Sequence, residues 1–218
     1  MDEATLIISS KNYSSWSLRG WLITRMSGLP FHEKSIALDD ASTREELLLR
    51  SSSILVPCLL HNDVSIWDTL AIAEYLNELR PEARMLPSER LPQARCRSIS
   101  GEMHSGFSAL RSSLPMNLRS RRPDFKVWSS AQADIERIAS IWRECIEIWG
   151  GPFLFGPQYT VADAMYAPVC TRLKTYGVKL DEICTGYKDH ILALPEMIEW
   201  TRAALDEQGE VSELDVEF

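Results

Sequence analysis

The residues best suited to chemistry near the start of the chain are hydroxyl groups, namely Ser14, Ser15 and Ser17, with Tyr13 directly before them. They lie in a polar segment that follows an apolar run and precedes residues of helical periodicity. A hydroxyl that donates a hydrogen bond stabilises an anion, and the positive end of a helix adds to that effect. The same residue types also serve turns and helix caps. The segment alone therefore leaves an anion site and a structural function open, with Ser17 predicted to begin the helix.

A second candidate site consists of Asp68 and Thr69, which follow a predicted hairpin and open the next predicted helix. Asp68 is a favourable N-cap residue. The free N–H groups and the dipole at a helix N-terminus also favour a bound carboxylate. Ligand binding and simple capping are both compatible with this pair.

Cationic groups further along the chain could bind an anion. His104 and Arg111 are seven residues apart, so they share one face of a helix, and Phe107 lies between them. A solvated arginine and an internally paired histidine are the alternative interpretation.

Composition limits the class of protein. The chain has 218 residues, 45% hydrophobic and 25% charged, as in ordinary globular proteins of one large or two small domains. The net charge of −8 without a basic run argues against nucleic-acid binding. No apolar stretch is long enough to span a membrane, and the acidic start of the chain is unlike a signal peptide, so we expect a cytoplasmic protein. Five separated cysteines and four histidines indicate buried thiols rather than a disulfide framework or a metal site.

The first part of the chain has the predicted order βαβ followed by ββα. Its predicted elements are a strand at 5–8, a helix ending near 28, an extended segment at 31–38, a short helical piece at 44–50, a hairpin of 56–60 and 64–67, and a helix ending before 81. This order is the thioredoxin-like arrangement. We therefore predict a thioredoxin-like domain at 1–82 and a linker at 83–92.

The rest of the chain, 93–218, is predicted to be an all-helical domain, which makes the fold class α/β plus all-α. Apolar residues stepping by three or four predict a helix through 99–114, and a second follows a capping-box pattern at 129–132. A third helix begins at Thr160, with Asp163 reaching back to its first turn, and a fourth begins at Pro195. The last thirteen residues contain six acidic groups and no basic ones, which predicts a solvated tail.

Four segments in this order resemble the cytosolic glutathione transferase family, and the resemblance spans nearly the whole chain. They are Ser-Ser-Trp-Ser-Leu-Arg at 14–19, similar to the zeta-class Ser-Ser-Cys-Ser-x-Arg; Val-Pro at 56–57, where the family has a cis proline; Trp-Asp-Thr-Leu-Ala-Ile at 67–72; and Phe-Gly at 155–156 followed by Thr-Val-Ala-Asp at 160–163.

The resemblance implies functions for the first loop. Glutathione reacts as its thiolate, and Ser14 is the first choice for the hydroxyl that contacts the sulfur. Ser15 is the second choice, and Tyr13 a third because other classes use a tyrosine. Trp16 replaces the cysteine of the zeta segment, which argues against thiol exchange through a mixed disulfide and reshapes the pocket.

The resemblance also implies how glutathione is held. Val56 and Pro57 would present the Val56 main chain to the cysteinyl part of the peptide, as in β-strand addition. Thr69 would hold the γ-glutamyl carboxylate and Asp68 its ammonium group, although Asp68 is shorter than the family's usual Glu or Gln.

The second substrate would lie between the domains, in a pocket lined by Trp16, His104, Phe107 and Arg111. The resemblance thus implies a homodimeric enzyme that adds glutathione, as co-substrate and without a metal, to a small electrophile. The alternatives are a glutathione-dependent cis–trans isomerase of a maleyl-type diacid and a non-catalytic protein that binds a partner.

Overall fold

A four-stranded mixed sheet forms the first half of the protein, as seen in a computed structural model that describes residues 4–36 and 55–207. The strands are β1 (Ala4–Ile8), β2 (Phe31–Ser35), β3 (Cys58–His61) and β4 (Val64–Trp67), in the spatial order β2-β1-β3-β4. β1 pairs with β2 in parallel and with β3 antiparallel, and β3 pairs antiparallel with β4. β1 lies inside the sheet, between β2 and β3, and four of its five residues are buried, which agrees with its apolar run.

In the described residues, this half also contains the helices α1 (Ser15–Ser27), between β1 and β2, and α2 (Thr69–Leu79), after β4. The hairpin between β3 and β4 turns at Asn62 and Asp63, both with positive φ, as a two-residue hairpin of this kind requires. The βαβ–ββα order is thioredoxin-like, so the predicted fold class of the first half is confirmed. The predicted helical piece at 44–50 lies outside the described residues.

The second half is helical, as predicted. Its helices in the described residues are α3 (Arg90–Ser105), α4 (Ser108–Ser113), α5 (Ser129–Trp149), α6 (Val161–Thr175), α7 (Glu182–Leu192) and α8 (Pro195–Asp206). α3 begins inside the segment predicted as a linker, whereas α6 and α8 begin where the sequence predicts.

Three details of the helical prediction were wrong. The periodic run through 99–114 is two helices, because the chain breaks at Gly106 and Phe107, and Phe107 has a φ of 59°. The helix α7 was not predicted. The capping box at 129–132 is absent, since Ser129 is already inside α5 and Trp128 holds the N-cap position without a side-chain bond.

The start of α6 is a satisfied capping box. Asp163, fully buried, accepts hydrogen bonds from the Thr160 N–H and hydroxyl at 2.8 Å each, from the Leu154 N–H at 3.0 Å and from the Tyr187 hydroxyl at 3.1 Å. Burial raises the pKa of Asp163, and these donors oppose that effect. The predicted structural function of this residue agrees with the geometry.

One continuous apolar core joins the sheet side of α1 to the helical half. α1 is buried on nearly all sides because it packs against β1, α2 and α6 together. The five cysteines are buried, and none of them forms a disulfide within the described residues. Within residues 4–36 and 55–207, no helix is long and apolar enough to cross a bilayer.

Candidate active site

Ser14 is the N-cap of α1, which begins at Ser15, two residues before the start predicted at Ser17. The Ser17 N–H donates to the Ser14 Oγ at 3.2 Å, and the Ser14 hydroxyl donates to the Ser17 Oγ at 2.8 Å. The Ser17 Oγ also accepts from the Ser9 N–H at 3.0 Å. Ser14 therefore sits at the positive end of a helix, with its single hydroxyl hydrogen directed at a neutral acceptor.

Ser15 lies next to a buried cation. Arg172, on α6, donates from Nη2 to the Ser15 Oγ at 3.3 Å, so the Ser15 hydroxyl acts as acceptor there. Its own hydrogen has no acceptor within residues 4–36 and 55–207. The sequence analysis did not single out Arg172, although an arginine inside an otherwise apolar helical run is the signal that could have found it.

Trp16 is the centre of a cluster of cationic and aromatic side chains between the two halves of the protein. The guanidinium groups of Arg19 and Arg111 each lie 4.7 Å from the centroid of its ring, and the His104 ring lies 5.0 Å away. Such contacts between a cation and an indole are favourable. The predicted pocket residues Trp16, His104 and Arg111 are thus together in the structure, and Arg19, quoted only as part of a motif, joins them.

The positive charges of this cluster are not neutralised within the described residues. Arg19, Arg111 and Arg172 donate to main-chain carbonyls, including those of Met165 and Leu114, and no described carboxylate forms an ion pair with them. Burial, then the neighbouring arginines, lowers the pKa of Arg19. Burial, then Arg111, lowers the pKa of Arg172 to about 10. The site is therefore electropositive, and an anion bound there would meet attractive charges.

Asp68 is the N-cap of α2 and accepts from the Leu70 N–H at 2.8 Å. Its other carboxylate oxygen lies 2.5 Å from the His104 Nε2. Asp68 has a φ of 73°, a backbone conformation that costs a non-glycine residue energy and that persists only where the surrounding structure holds it. Beside it, the buried Thr69 hydroxyl has no hydrogen-bond partner in the described part of the chain. A strained cap next to an unsatisfied hydroxyl is an arrangement that a ligand would complete.

The Val56–Pro57 peptide bond is cis, as the resemblance implied. No hydrogen bond in the described residues occupies the main chain of Val56. Pro57 packs against Gly20 on α1 so closely that a Cβ at Gly20 would lie 2.4 Å from the Pro57 Cγ. Because Gly20 has no side chain, α1 and Pro57, in the loop before β3, can lie this close together. Sequence analysis missed this glycine.

Phe107 is buried at the junction of α3 and α4, so it supports the helix break more than it lines an open pocket. Tyr13 lies beside Ser14 in the loop before α1, and its N–H is bonded to the Ser10 Oγ at 3.3 Å. In residues 4–36 and 55–207, no group of three or more His, Cys, Asp or Glu side chains could hold a metal ion.

Comparison with known proteins agrees with this geometry. The family models for the glutathione S-transferase N-terminal and C-terminal domains match residues 13–79 and 118–203. The chain belongs to the glutathione S-transferase family. The predicted family is therefore confirmed, and with it the expected use of glutathione in a transferase or isomerase reaction.

Curated relatives include both transferases and isomerases. A probable maleylacetoacetate isomerase of Caenorhabditis elegans is 22% identical over 76% of this chain and 77% of its own. The maleylacetoacetate isomerase of Rattus norvegicus is 29% identical over 57% of this chain and 56% of its own length. Glutathione S-transferase 1 of Dianthus caryophyllus is 24% identical over 79% of this chain and 80% of its own.

Solved structures share the fold. A glutathione transferase homolog from Burkholderia, crystallised with bound glutathione, has a TM-score of 0.71 at 23% identity, over 95% of this chain and 100% of that one. Glutathione transferase Omega 2S from Trametes versicolor has a TM-score of 0.72 at 16% identity, over 98% and 99% of the two chains.

Proposed function

We propose that the protein binds glutathione at the start of α1 and α2, stabilises its thiolate, and adds it to a small anionic electrophile. The observation that carries this proposal is the set of guanidinium groups of Arg19, Arg111 and Arg172, which surround Trp16 and Ser15 without a described carboxylate partner. Such a site favours an anionic sulfur and an anionic second substrate.

The γ-glutamyl end of glutathione would occupy the start of α2. Its carboxylate would accept from the Thr69 hydroxyl, which is buried and lacks a partner, and from the free N–H groups of the helix. Its ammonium group would meet Asp68. An ionised carboxylate has about four lone-pair sites, so two remain after the bonds from Leu70 and His104. The Val56 main chain would pair with the cysteinyl part of the peptide.

The thiol would lie next to Ser14 and Ser15. A free thiol has a pKa of about 8.5, so little of it is ionised at neutral pH. Ser14 can exchange its bond to the neutral Ser17 oxygen for a bond to the thiolate, which is a stronger acceptor because it is charged. Each unit by which the site lowers the thiol pKa corresponds to about 1.4 kcal/mol in favour of the anion.

The proposal is tested by titrating bound glutathione with pH and following the ultraviolet absorbance of the thiolate. We expect a bound pKa at least about one unit below the free value. Ser14→Gly removes the hydroxyl but costs the helix cap only a few tenths of a kcal/mol, whereas Ser14→Thr keeps both functions. A pKa that rises in the glycine variant alone identifies Ser14 as the contact.

Two further variants are measured in the same way. Ser15→Ala tests the second serine, and Ser98→Ala, at an exposed position on α3, is the control. A pKa that rises only in the Ser15 variant moves the contact to Ser15. Glutathione bound with an unshifted pKa in the wild type contradicts thiolate stabilisation. No binding of glutathione at all favours the non-catalytic, partner-binding alternative.

A second candidate function is glutathione-dependent cis–trans isomerisation of a maleyl-type diacid. The cationic cluster favours it because a diacid would bring two negative charges to Arg111 and Arg172, and relatives from three animals are named maleylacetoacetate isomerase or probable maleylacetoacetate isomerase. In this reaction the thiolate adds to the double bond, rotation follows, and the thiolate leaves again. Assays with a cis-diacid discriminate the two functions, since isomerisation regenerates free glutathione and conjugation consumes it.

The oligomeric state and the cellular location of the protein are also proposals. Val64 and Trp67 are exposed on β4, one of the two edge strands of the described sheet, where a second copy of the chain could cover them. We therefore propose a homodimer, and we propose a cytoplasmic location from the family to which the chain belongs. Sedimentation of the wild type and of Val64→Lys tests the dimer, since a charge in the proposed interface would shift the protein toward monomer.

A further inference from the structure

The loop that carries the thiol-contacting serines is held by the far end of the chain. Glu207, directly after α8, accepts hydrogen bonds from the Ser10 hydroxyl at 2.7 Å, from the Lys11 N–H at 2.9 Å and from the Asn12 N–H at 3.0 Å. Three donors of successive residues thus converge on one carboxylate. Glu207 belongs to the segment predicted as a solvated tail, so that expectation was wrong at this residue.

The bonds continue from Glu207 to the active-site hydroxyls. The Ser10 Oγ, which donates to Glu207, accepts from the Tyr13 N–H at 3.3 Å. The Ser10 carbonyl accepts from the Ser14 N–H at 3.0 Å. Glu207 therefore bonds to Ser10, and Ser10 bonds to Tyr13 and Ser14 where the chain enters the first turn of α1.

The end of α8 is itself held by hydrogen bonds from Arg119 and to the loop of residues 10–12. Arg119 donates from Nε to the Ala204 carbonyl at 3.0 Å and contacts the Glu207 carbonyl through Nη2. The fully buried Trp200 donates from its ring N–H to the Lys11 carbonyl at 2.9 Å. A cation at a helix C-terminus satisfies carbonyls that have no partner inside the helix. Glu207 thus follows a helix end that is bonded to Arg119 and, through Trp200, to Lys11.

The other side of the loop is equally well held. Asn12 is fully buried, and its Oδ1 accepts from the N–H groups of Leu118 at 2.8 Å and Arg119 at 3.1 Å. Residues 10–12 therefore bond with the helical half through side chains and main chain alike. The three bonds to Glu207 end on a charged acceptor, as does the ion pair between the Lys11 Nζ and Glu33, and such bonds are about twice as strong as neutral ones.

We propose that Glu207 is a positioning residue for thiolate stabilisation, acting through residues 10–12 on the placement of Ser14 and Ser15. This inference rests on the proposed function. A hydrogen bond from a serine to the sulfur is sensitive to small displacements, because a hydrogen bond weakens steeply as its distance and angle depart from the preferred values. Glu207 holds the loop in the productive geometry without touching glutathione.

The decisive variant is Glu207→Gln. Glutamine has the same shape, but one of its terminal groups is an amide N–H₂ that cannot accept. If its oxygen takes the place of Oε2, the Lys11 N–H loses its acceptor; if it takes the place of Oε1, Ser10 and Asn12 lose theirs. Glu199→Gln is the matched control, since Glu199 lies on α8 and pairs with Arg25 on the surface.

Three measurements on the full chain test the proposal. We expect the bound thiol pKa of Glu207→Gln to rise by about one unit and kcat to fall about tenfold, the two being equivalent in free energy. The KM for glutathione should stay within about twofold, since the γ-glutamyl site at α2 is untouched. Amide hydrogen exchange at Lys11 and Asn12 should accelerate. Glu199→Gln should match the wild type in all three.

The outcomes separate this inference from the proposed function. A wild type that lowers the thiol pKa, with a Glu207→Gln variant unchanged in thiol pKa and kcat, overturns the positioning function alone. A parallel loss of kcat and of glutathione binding, with global destabilisation, also overturns it and makes Glu207 merely structural. A wild type that binds glutathione without lowering the thiol pKa overturns the proposed function and this inference with it, whatever the exchange at Lys11 shows.

Discussion

The Nε2 atom of His104 lies 2.5 Å from the Oδ2 atom of Asp68, so a side chain of α3 in the helical half holds the carboxylate that caps α2. The other oxygen of Asp68 is held by the Leu70 N–H. The two halves of the protein thus share one half-exposed carboxylate at the place proposed for the γ-glutamyl ammonium. Its rotamer is fixed before a ligand arrives, and pre-organisation of this kind favours binding.

Asp68→Asn should weaken glutathione binding about tenfold to a hundredfold, because a hydrogen bond to a charged group contributes about 1.5–3 kcal/mol. The amide oxygen of asparagine can still accept from Leu70, so the helix start is retained. Calorimetric titration measures the affinity. Unchanged binding in Asp68→Asn would place the ammonium group elsewhere.

His104→Ala should weaken glutathione binding less than Asp68→Asn, by about threefold, because it removes the orientation of the carboxylate but not its charge. The same titration applies. Tighter binding in His104→Ala would mean that the histidine competes with the ammonium group for Asp68, which is the opposite of an orienting function.

Arg111→Met should raise the KM for an anionic electrophile about tenfold and leave that for a neutral aromatic electrophile within about twofold, since only the former gains a charge-assisted bond. Arg143→Met is the control, because Arg143 is exposed and pairs with Asp181 away from Trp16. Steady-state kinetics with the two substrates gives the comparison. Equal losses for both substrates would assign Arg111 to packing around Trp16.

Gly20→Ala should destabilise the protein by about 1–3 kcal/mol, the usual cost of overpacking, because the new Cβ would overlap the Pro57 ring. Gly186→Ala on α7 is the matched control. Nothing lies within 4 Å of a Cβ there, so it should stabilise by about 0.4–1 kcal/mol. Urea unfolding followed by circular dichroism measures both. A neutral Gly20→Ala would show that the loop before β3 moves freely relative to α1.

Asp163→Asn should cost about 3 kcal/mol or more of folding free energy, because the amide N–H₂ would face N–H and O–H donors in a fully buried site. Asp189→Asn on α7, an exposed side chain, should be close to neutral. Thermal unfolding compares the two. Loss of activity at unchanged stability in Asp163→Asn would contradict the structural function of this residue.

The sequence by itself determined the strand, the turn and the helix starts that depend on residues close together in the chain. The β-branched run at 5–8, the Asn62-Asp63 turn, the Asp68 cap and the capping box at Thr160 and Asp163 each depend on neighbours a few residues away, and each is found in the structure. The break between α3 and α4 was missed because the apolar period runs through Gly106 and Phe107 without interruption. Periodicity records which residues are buried, not whether the helix axis continues.

Only some residues of the candidate site could be predicted from the sequence. Motif order pointed to Ser14, Ser15, Val56, Asp68 and Thr69, because each lies at the start of a helix or strand whose identity the sequence sets. Tertiary structure alone decided the rest. Gly20 meets Pro57, Arg172 reaches Ser15, and Glu207 reaches Ser10. Residues separated by 37, 157 and 197 positions come together through packing, and no local propensity or periodic pattern encodes such distances.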